Sequence, residues 1–112
     1  MPSSPASEVV VVAKLFPHEG QLQSLLDVLG SLVPRVHAEE PGCLVYAPHL
    51  VHGEDDGPVV MIEKFASMDA LEAHGATAAM IEHQPQLAAV LDRPVDVTLL
   101  DPLAVGDSSH RL

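Results

Sequence analysis

The segment Pro58–His74, with the sequence Pro-Val-Val-Met-Ile-Glu-Lys-Phe-Ala-Ser-Met-Asp-Ala-Leu-Glu-Ala-His, predicts a strand that leads into a helix. Its first half is rich in β-branched and apolar residues, which is typical of a strand. Ser67 then stands where a helix N-cap belongs. Because alternate strand residues point to the same face, we expect Met61, Glu63 and Phe65 to share one face.

Glu63 is the most unusual residue of this segment. A carboxylate between two apolar neighbours on one face costs free energy to bury unless it has a partner. His74, two turns along the following helix, is the partner we expect. The pair could transfer protons, with the carboxylate holding an imidazole that accepts a phenol proton. It could equally be a structural hydrogen bond between strand and helix, and the sequence leaves both interpretations open.

Composition limits the possible classes of protein. The chain has 112 residues, which suits one domain, and 47% are hydrophobic, which argues against general disorder. Sixteen acidic and five basic residues give a net charge of −11. This charge argues against binding to nucleic acid or to an anionic membrane, because phosphate contacts require clustered Lys and Arg. Cys43 is the only cysteine, so an intrachain disulfide is impossible, and a cytoplasmic location is favoured.

The chain ends carry no recognisable chemistry. We find no signal-peptide pattern, and no apolar run reaches the roughly 20 residues of a membrane span. We therefore expect a single domain over residues 8–103, with a flexible leader at 1–7 and a C-terminal tail at 104–112.

The remaining segments complete an alternating pattern of strands and helices. Strands are predicted at Val9–Phe16, Cys43–Val51, Pro58–Ala66 and Val95–Leu100. Helices are predicted at 19–36 with a kink or separate turn after Pro34, at 67–74, and at 77–91 with an interruption at Pro85. The order β-α-β-β-α-β indicates an α+β, ferredoxin-like fold with a four-stranded antiparallel sheet and helices on one face.

Two strands carry further information. Val9–Val12 are four consecutive β-branched residues, which is typical of a strand covered on both faces. A second copy of the chain on the helix-free face would provide that cover and form a dimeric α+β barrel. In the second strand, Pro48 favours an edge position or a bulge. Strict alternation there would place Cys43 on the face of Val45 and opposite to Tyr46.

Three stretches of the chain resemble the antibiotic biosynthesis monooxygenase family. They are Val-Val-Ala-Lys-Leu at Val11–Leu15, Glu-Glu-Pro-Gly-Cys-Leu-Val-Tyr at Glu39–Tyr46, and Glu-Lys-Phe at Glu63–Phe65 followed by Leu71 and His74. The resemblance extends from about Val9 to Leu103. It implies a small homodimeric α+β barrel, with many relatives described as quinol monooxygenases.

The resemblance also implies an activity. Family members insert one oxygen atom of O2 into a phenolic or quinol substrate, and the best-known ones use no metal, flavin or haem. A deprotonated dihydroxyaromatic compound can itself pass an electron to O2, so such a protein has to bind the substrate, deprotonate it and exclude water. The implied partners are a small aromatic substrate and O2, and the implied cofactor requirement is none.

The sequence departs from the family pattern at two points. The aromatic position that is usually Trp is Phe65, and the Ser-Pro-His-like segment after the second helix begins is replaced by Thr77-Ala78-Ala79. Haem-degrading relatives of this fold use an Asn and a Trp where this chain has Ala13 and Phe65. His83 lies near their iron-ligand position without matching it, so this branch is the least favoured alternative.

The candidate site residues follow from the shared strand face and from the resemblance. Glu63 and His74 are the candidate catalytic residues, and Tyr46, Phe65, Met61 and Met80 are the candidate substrate-binding residues. Each has a plainer interpretation as core. No metal site is expected, since residues three apart in a strand, such as His49 and His52, face opposite ways. The alternative function is a non-catalytic dimer of the same fold that binds a small ligand.

Overall fold

The computed structural model describes residues 7–103 and 105. It contains seven elements in the following order: β1 Val9–Leu15, α1 Leu22–Glu39, β2 Cys43–Leu50, β3 Val59–Phe65, α2 Met68–His74, α3 Ala78–Val90 and β4 Asp96–Leu100. The predicted ferredoxin-like α+β plan is confirmed. The predicted leader and tail lie outside the described residues, apart from Ser7 and Val105.

The four strands form one antiparallel sheet in the order β2-β3-β1-β4. The edge position that Pro48 predicted for β2 is therefore confirmed. A bulge shifts the β2–β3 register between Cys43 and Val45, so Cys43 pairs with Phe65 while Tyr46 pairs with Glu63. The expectation that Cys43 and Tyr46 face opposite ways was wrong, because the bulged residue Leu44 reverses the alternation.

The core lies between one face of the sheet and the helices. The stripe of α1 that contains Leu25, Leu29, Leu32 and Val36 is almost completely buried. It packs with the sheet residues of the same cluster, which are Val9, Val11, Ala13, Leu15, Tyr46, Val59, Met61 and Phe65. The apolar spacing of three and four along α1 thus produces the face that the sequence predicted.

Both helices with internal prolines are continuous, which corrects the predicted interruptions at Pro34 and Pro85. A proline removes one backbone donor and leaves the carbonyl four residues earlier without its helical partner. Those carbonyls belong to Gly30 and Ile81, and all four residues are exposed to solvent. Water can bond the freed carbonyls there, while burial of the opposite side of each helix maintains the axis.

The helices cover only part of their sheet face. The register places Val97 opposite Ala13, and Leu99 opposite Val11, so both β4 residues face the helix side. Their side chains are nevertheless 55% and 50% exposed. The space above β4 is therefore open. Within the described residues, no helix combines the length and apolarity needed to cross a membrane.

Candidate active site

A cavity of about 260 Å³ lies between the sheet and the helices. Aliphatic side chains from β1, α1 and α3 form most of its wall, and the titratable residues that line it are Tyr46, Glu63 and His74. Met61 and Met80, two of the candidate substrate-binding residues, also line it. Five of the six predicted site residues thus surround one cavity.

Phe65 does not line the cavity. It is fully buried, and its ring centroid lies 5.2 Å from that of His74. The ring of Tyr46 lies at the same 5.2 Å centroid distance from His74. Phe65 therefore supports the imidazole, whereas the sequence placed it in the pocket wall. Contacts with two aromatic rings restrict the orientation of the imidazole.

His74 is the last residue of α2, whose start is fixed by Ser67. The Ser67 hydroxyl accepts a hydrogen bond of 3.1 Å from the backbone N–H of Ala70, which confirms the predicted N-cap. His74 Nδ1 lies 2.7 Å and 3.0 Å from the two carboxyl oxygens of Glu40. A carboxylate can only accept, so Nδ1 donates, and Nε2 is the nitrogen left for a ligand.

The expected hydrogen bond between Glu63 and His74 is therefore replaced by one between Glu40 and His74. Glu40 caps the C-terminal end of α1, immediately before the Pro41-Gly42 turn into β2. This turn delivers a carboxylate to the end of α2, 34 residues away in sequence. The sequence signal for Glu40 was its position before Pro-Gly in the quoted motif, but nothing in the sequence identified its partner.

Gly42 is what allows α2 to approach this turn. A Cβ on Gly42 would lie 2.7 Å from the Cβ of Ala70, closer than such atoms come in proteins. A second cavity of about 240 Å³ lies at this contact and is lined by both Glu40 and His74. His74 lines both cavities and therefore lies between them.

Glu63 is buried at 6% exposure, and its carboxyl has no hydrogen-bond partner among residues 7–103 and 105. Burial raises the pKa of Glu63 from 4.5 to about 7, and the negative charge of Glu40 adds to this effect. Glu63 can therefore both hold and release a proton near neutral pH. A buried carboxyl with no partner that faces a cavity is a strong indication of a ligand site.

Two further groups in this region, the Tyr46 hydroxyl and the Cys43 thiol, stay protonated. Burial and the charge of Glu63 raise the pKa of the Tyr46 hydroxyl well above its usual value, so the phenol is a hydrogen-bond donor. Burial likewise raises the pKa of the Cys43 thiol to about 12. Since the thiolate is the nucleophile, the half-buried Cys43 thiol is not expected to be reactive.

Comparison with known proteins identifies the family of this chain. A family model described as antibiotic biosynthesis monooxygenase matches residues 8–86. The chain belongs to the antibiotic biosynthesis monooxygenase family. The resemblance drawn from the three sequence stretches is thus confirmed.

Individual relatives cover nearly the whole of this family member. A Mycobacterium tuberculosis protein named "Putative monooxygenase Rv0793" is 32% identical over 97 residues, which span 87% of this chain and 93% of that protein. A structure from Caulobacter crescentus, described as a putative antibiotic biosynthesis monooxygenase, has a TM-score of 0.81 at 29% identity and covers 89% of this chain and 93% of its own. PA3566 from Pseudomonas aeruginosa has a TM-score of 0.80 at 25% identity, with 92% and 99% covered.

In this antibiotic biosynthesis monooxygenase family member, the histidine nearest to the iron-ligand position of haem-degrading relatives is held by the fold. His83 Nδ1 donates to the carbonyl of Ala79 at 2.7 Å, and Nε2 lies 2.9 Å from the hydroxyl of Ser31. Both nitrogens are occupied, Nδ1 within α3 and Nε2 in a contact between α3 and α1. The structure therefore assigns His83 a packing role, and it lies apart from the cavity lining.

Proposed function

We propose that this protein is a cofactor-independent monooxygenase that oxidises a small phenolic or quinol compound with O2. The observation that carries the proposal is the Glu63 carboxyl, which faces an apolar cavity that His74 also lines. It has no hydrogen-bond partner among the residues that the structure describes, and its pKa is raised to about 7. Membership of a monooxygenase family supports the class of reaction. The apolar wall supports the exclusion of water from a reactive phenolate.

The proposed role of Glu63 and His74 is to accept the hydroxyl proton of the substrate. A base whose pKa lies near 7 is better matched to a phenol than an ordinary carboxylate of pKa 4.5, because the proton transfer is less uphill. His74 is held by Glu40 through Nδ1, so its Nε2 can accept a proton or position the hydroxyl. Tyr46 donates a hydrogen bond to the developing oxyanion.

The overall reaction balances without a further reductant. A dihydroxybenzene and O2 give a hydroxyquinone and water, since one oxygen atom enters a C–H bond and the other leaves as water. Oxidation of the diol to the quinone supplies two electrons, and hydroxylation of the ring carbon supplies the other two. The substrate is thus the electron donor, and the protein binds it, removes its proton and shields the intermediate from solvent.

We further propose that two copies of the chain pair through the sheet face that carries no helices. This face presents Val12, Val60 and Ile62, which are only half-buried in the single chain. A second sheet would remove these apolar side chains from water, which favours association.

The single cysteine, with its raised pKa and no disulfide, fits the reducing environment of the cytoplasm, where we place the protein.

The test is O2 consumption by purified, metal-stripped protein with a panel of dihydroxybenzenes, monitored together with the quinone products. The His74→Ala variant gives the background, because these compounds oxidise spontaneously. Uptake above this background without an added cofactor supports the proposal. Ligand binding with no uptake across the panel favours the alternative, a non-catalytic ligand-binding dimer.

A further inference from the structure

The polar and apolar lining of the cavity lies at opposite corners of the sheet. Tyr46 and Glu63 are direct neighbours on β2 and β3, and the His74 ring lies against Tyr46. Ala13 and Val97 are neighbours on β1 and β4, on the same face of the sheet. They lie one side-chain row further along the strands and towards the β4 edge. Two strand spacings and one side-chain repeat separate Glu63 from Val97, which corresponds to roughly 12 Å between Cα atoms.

These two corners also differ in their depth. Tyr46, Glu63 and His74 are 5–7% exposed, so the polar corner is the closed end of the cavity. Val95 and Val97 line the same cavity and are 39% and 55% exposed, so the β4 corner is its mouth. A ligand whose polar group reached the closed end would leave its apolar part between the helices and β4.

The closed end can satisfy more than one hydroxyl group. The Glu63 carboxyl has no hydrogen-bond partner in the described part of the chain, and Tyr46 retains its proton. His74 Nδ1 is taken by Glu40, which leaves Nε2 for the ligand. Away from this end the lining is aliphatic, so a hydroxyl placed there would be buried without a partner, which is unfavourable.

We propose that the cavity selects phenols whose hydroxyl groups are adjacent on one edge and whose opposite edge carries an apolar substituent or a second ring. The two hydroxyls then meet Glu63, Tyr46 and His74, and the apolar part lies against Val95 and Val97. A cavity of about 150 Å³ holds benzene, so the volume of about 260 Å³ here has room for a ring with such a substituent. This inference deepens the proposed function and rests on it only for turnover.

The decisive experiment compares two isomers, 4-tert-butylcatechol and 2-tert-butylhydroquinone, by calorimetry without oxygen in metal-free buffer. They have the same formula; the two hydroxyls are adjacent in the catechol and opposite in the hydroquinone, in which one hydroxyl also neighbours the tert-butyl group. We expect the catechol to bind at least tenfold more tightly, because the opposite hydroxyl of the hydroquinone would lie among aliphatic side chains. Equal affinities, tighter binding of the hydroquinone, or no binding of either isomer would overturn the inference.

A substitution at the mouth tests the orientation. Val97→Asp should weaken binding of 4-tert-butylcatechol at least tenfold, with a smaller loss for catechol, which lacks the alkyl group. Ile81→Asp is the matched control, since Ile81 is a 59% exposed residue of α3 outside the cavity lining. An equal loss for both ligands, or none, would show that the alkyl group does not face β4.

Turnover in air separates this inference from the proposed function. Tight catechol binding without O2 uptake would retain the ligand class and reject the monooxygenase. O2 uptake that prefers the hydroquinone isomer would retain the monooxygenase and reject the ligand class.

Discussion

The Glu63→Gln variant should become more stable relative to wild type as the pH rises from acidic to alkaline. The folded state holds the Glu63 proton more tightly than the unfolded chain, since the pKa rises from 4.5 to about 7. The stability that the protonated Glu63 carboxyl contributes is therefore fully present below pH 4.5, and it is lost as the pH rises towards 7. This pKa difference corresponds to about 3 kcal/mol in total, of which roughly 2–3 kcal/mol is lost between pH 5 and pH 8.

Urea denaturation of both proteins at pH 5 and pH 8 measures this effect. At each pH, the free energy of unfolding of wild type is subtracted from that of Glu63→Gln. The contributions of the other carboxylates cancel in this difference, so its change between pH 5 and pH 8 reports on Glu63. Glu72→Gln, at an exposed residue of α2, controls for the loss of one negative charge. If the free-energy difference for Glu63→Gln is the same at both pH values, the Glu63 carboxyl is hydrated or paired, and the argument for its role as a base fails.

Three further changes test the parts of the site around Glu63. Glu40→Gln removes a negative charge that raises the pKa of Glu63, so the acidic limb of the pH–rate profile should move to lower pH. Turnover should also fall roughly tenfold, because His74 loses its ionic partner. Gly42→Ala should destabilise the fold by about 1–3 kcal/mol, with Ala70→Gly restoring part of that stability, as a double-mutant cycle would show. Ser67→Ala should lower the free energy of unfolding by about 1 kcal/mol.

Each of these expectations has a contrary result. A pH–rate profile that does not move in Glu40→Gln would mean that the charge of Glu40 does not reach Glu63. Additive effects of Gly42→Ala and Ala70→Gly would mean that the two sites are not in contact. A stability of Ser67→Ala equal to wild type would remove the hydroxyl from the start of α2.

The strand and helix pattern of this chain was readable from local sequence. Alternation along β3 placed Met61 and Glu63 on one face, and Ser67 marked the start of α2, because both features depend on residues only two or three apart. The same local reasoning failed at Pro34 and Pro85. There the burial of one helix side and the exposure of the other decide whether a missing backbone hydrogen bond can be tolerated.

The titratable residues that line the cavity, Tyr46, Glu63 and His74, could be named from the sequence, but their hydrogen-bond partners could not. The sequence identified Glu63 and His74 as the unusual residues, since a carboxylate between apolar neighbours is conspicuous in any fold. Only the tertiary structure assigned His74 to Glu40, through the close approach of α2 to the turn at Gly42. Periodicity gives the face on which a side chain lies, whereas its hydrogen-bond partner depends on where two distant chain segments meet.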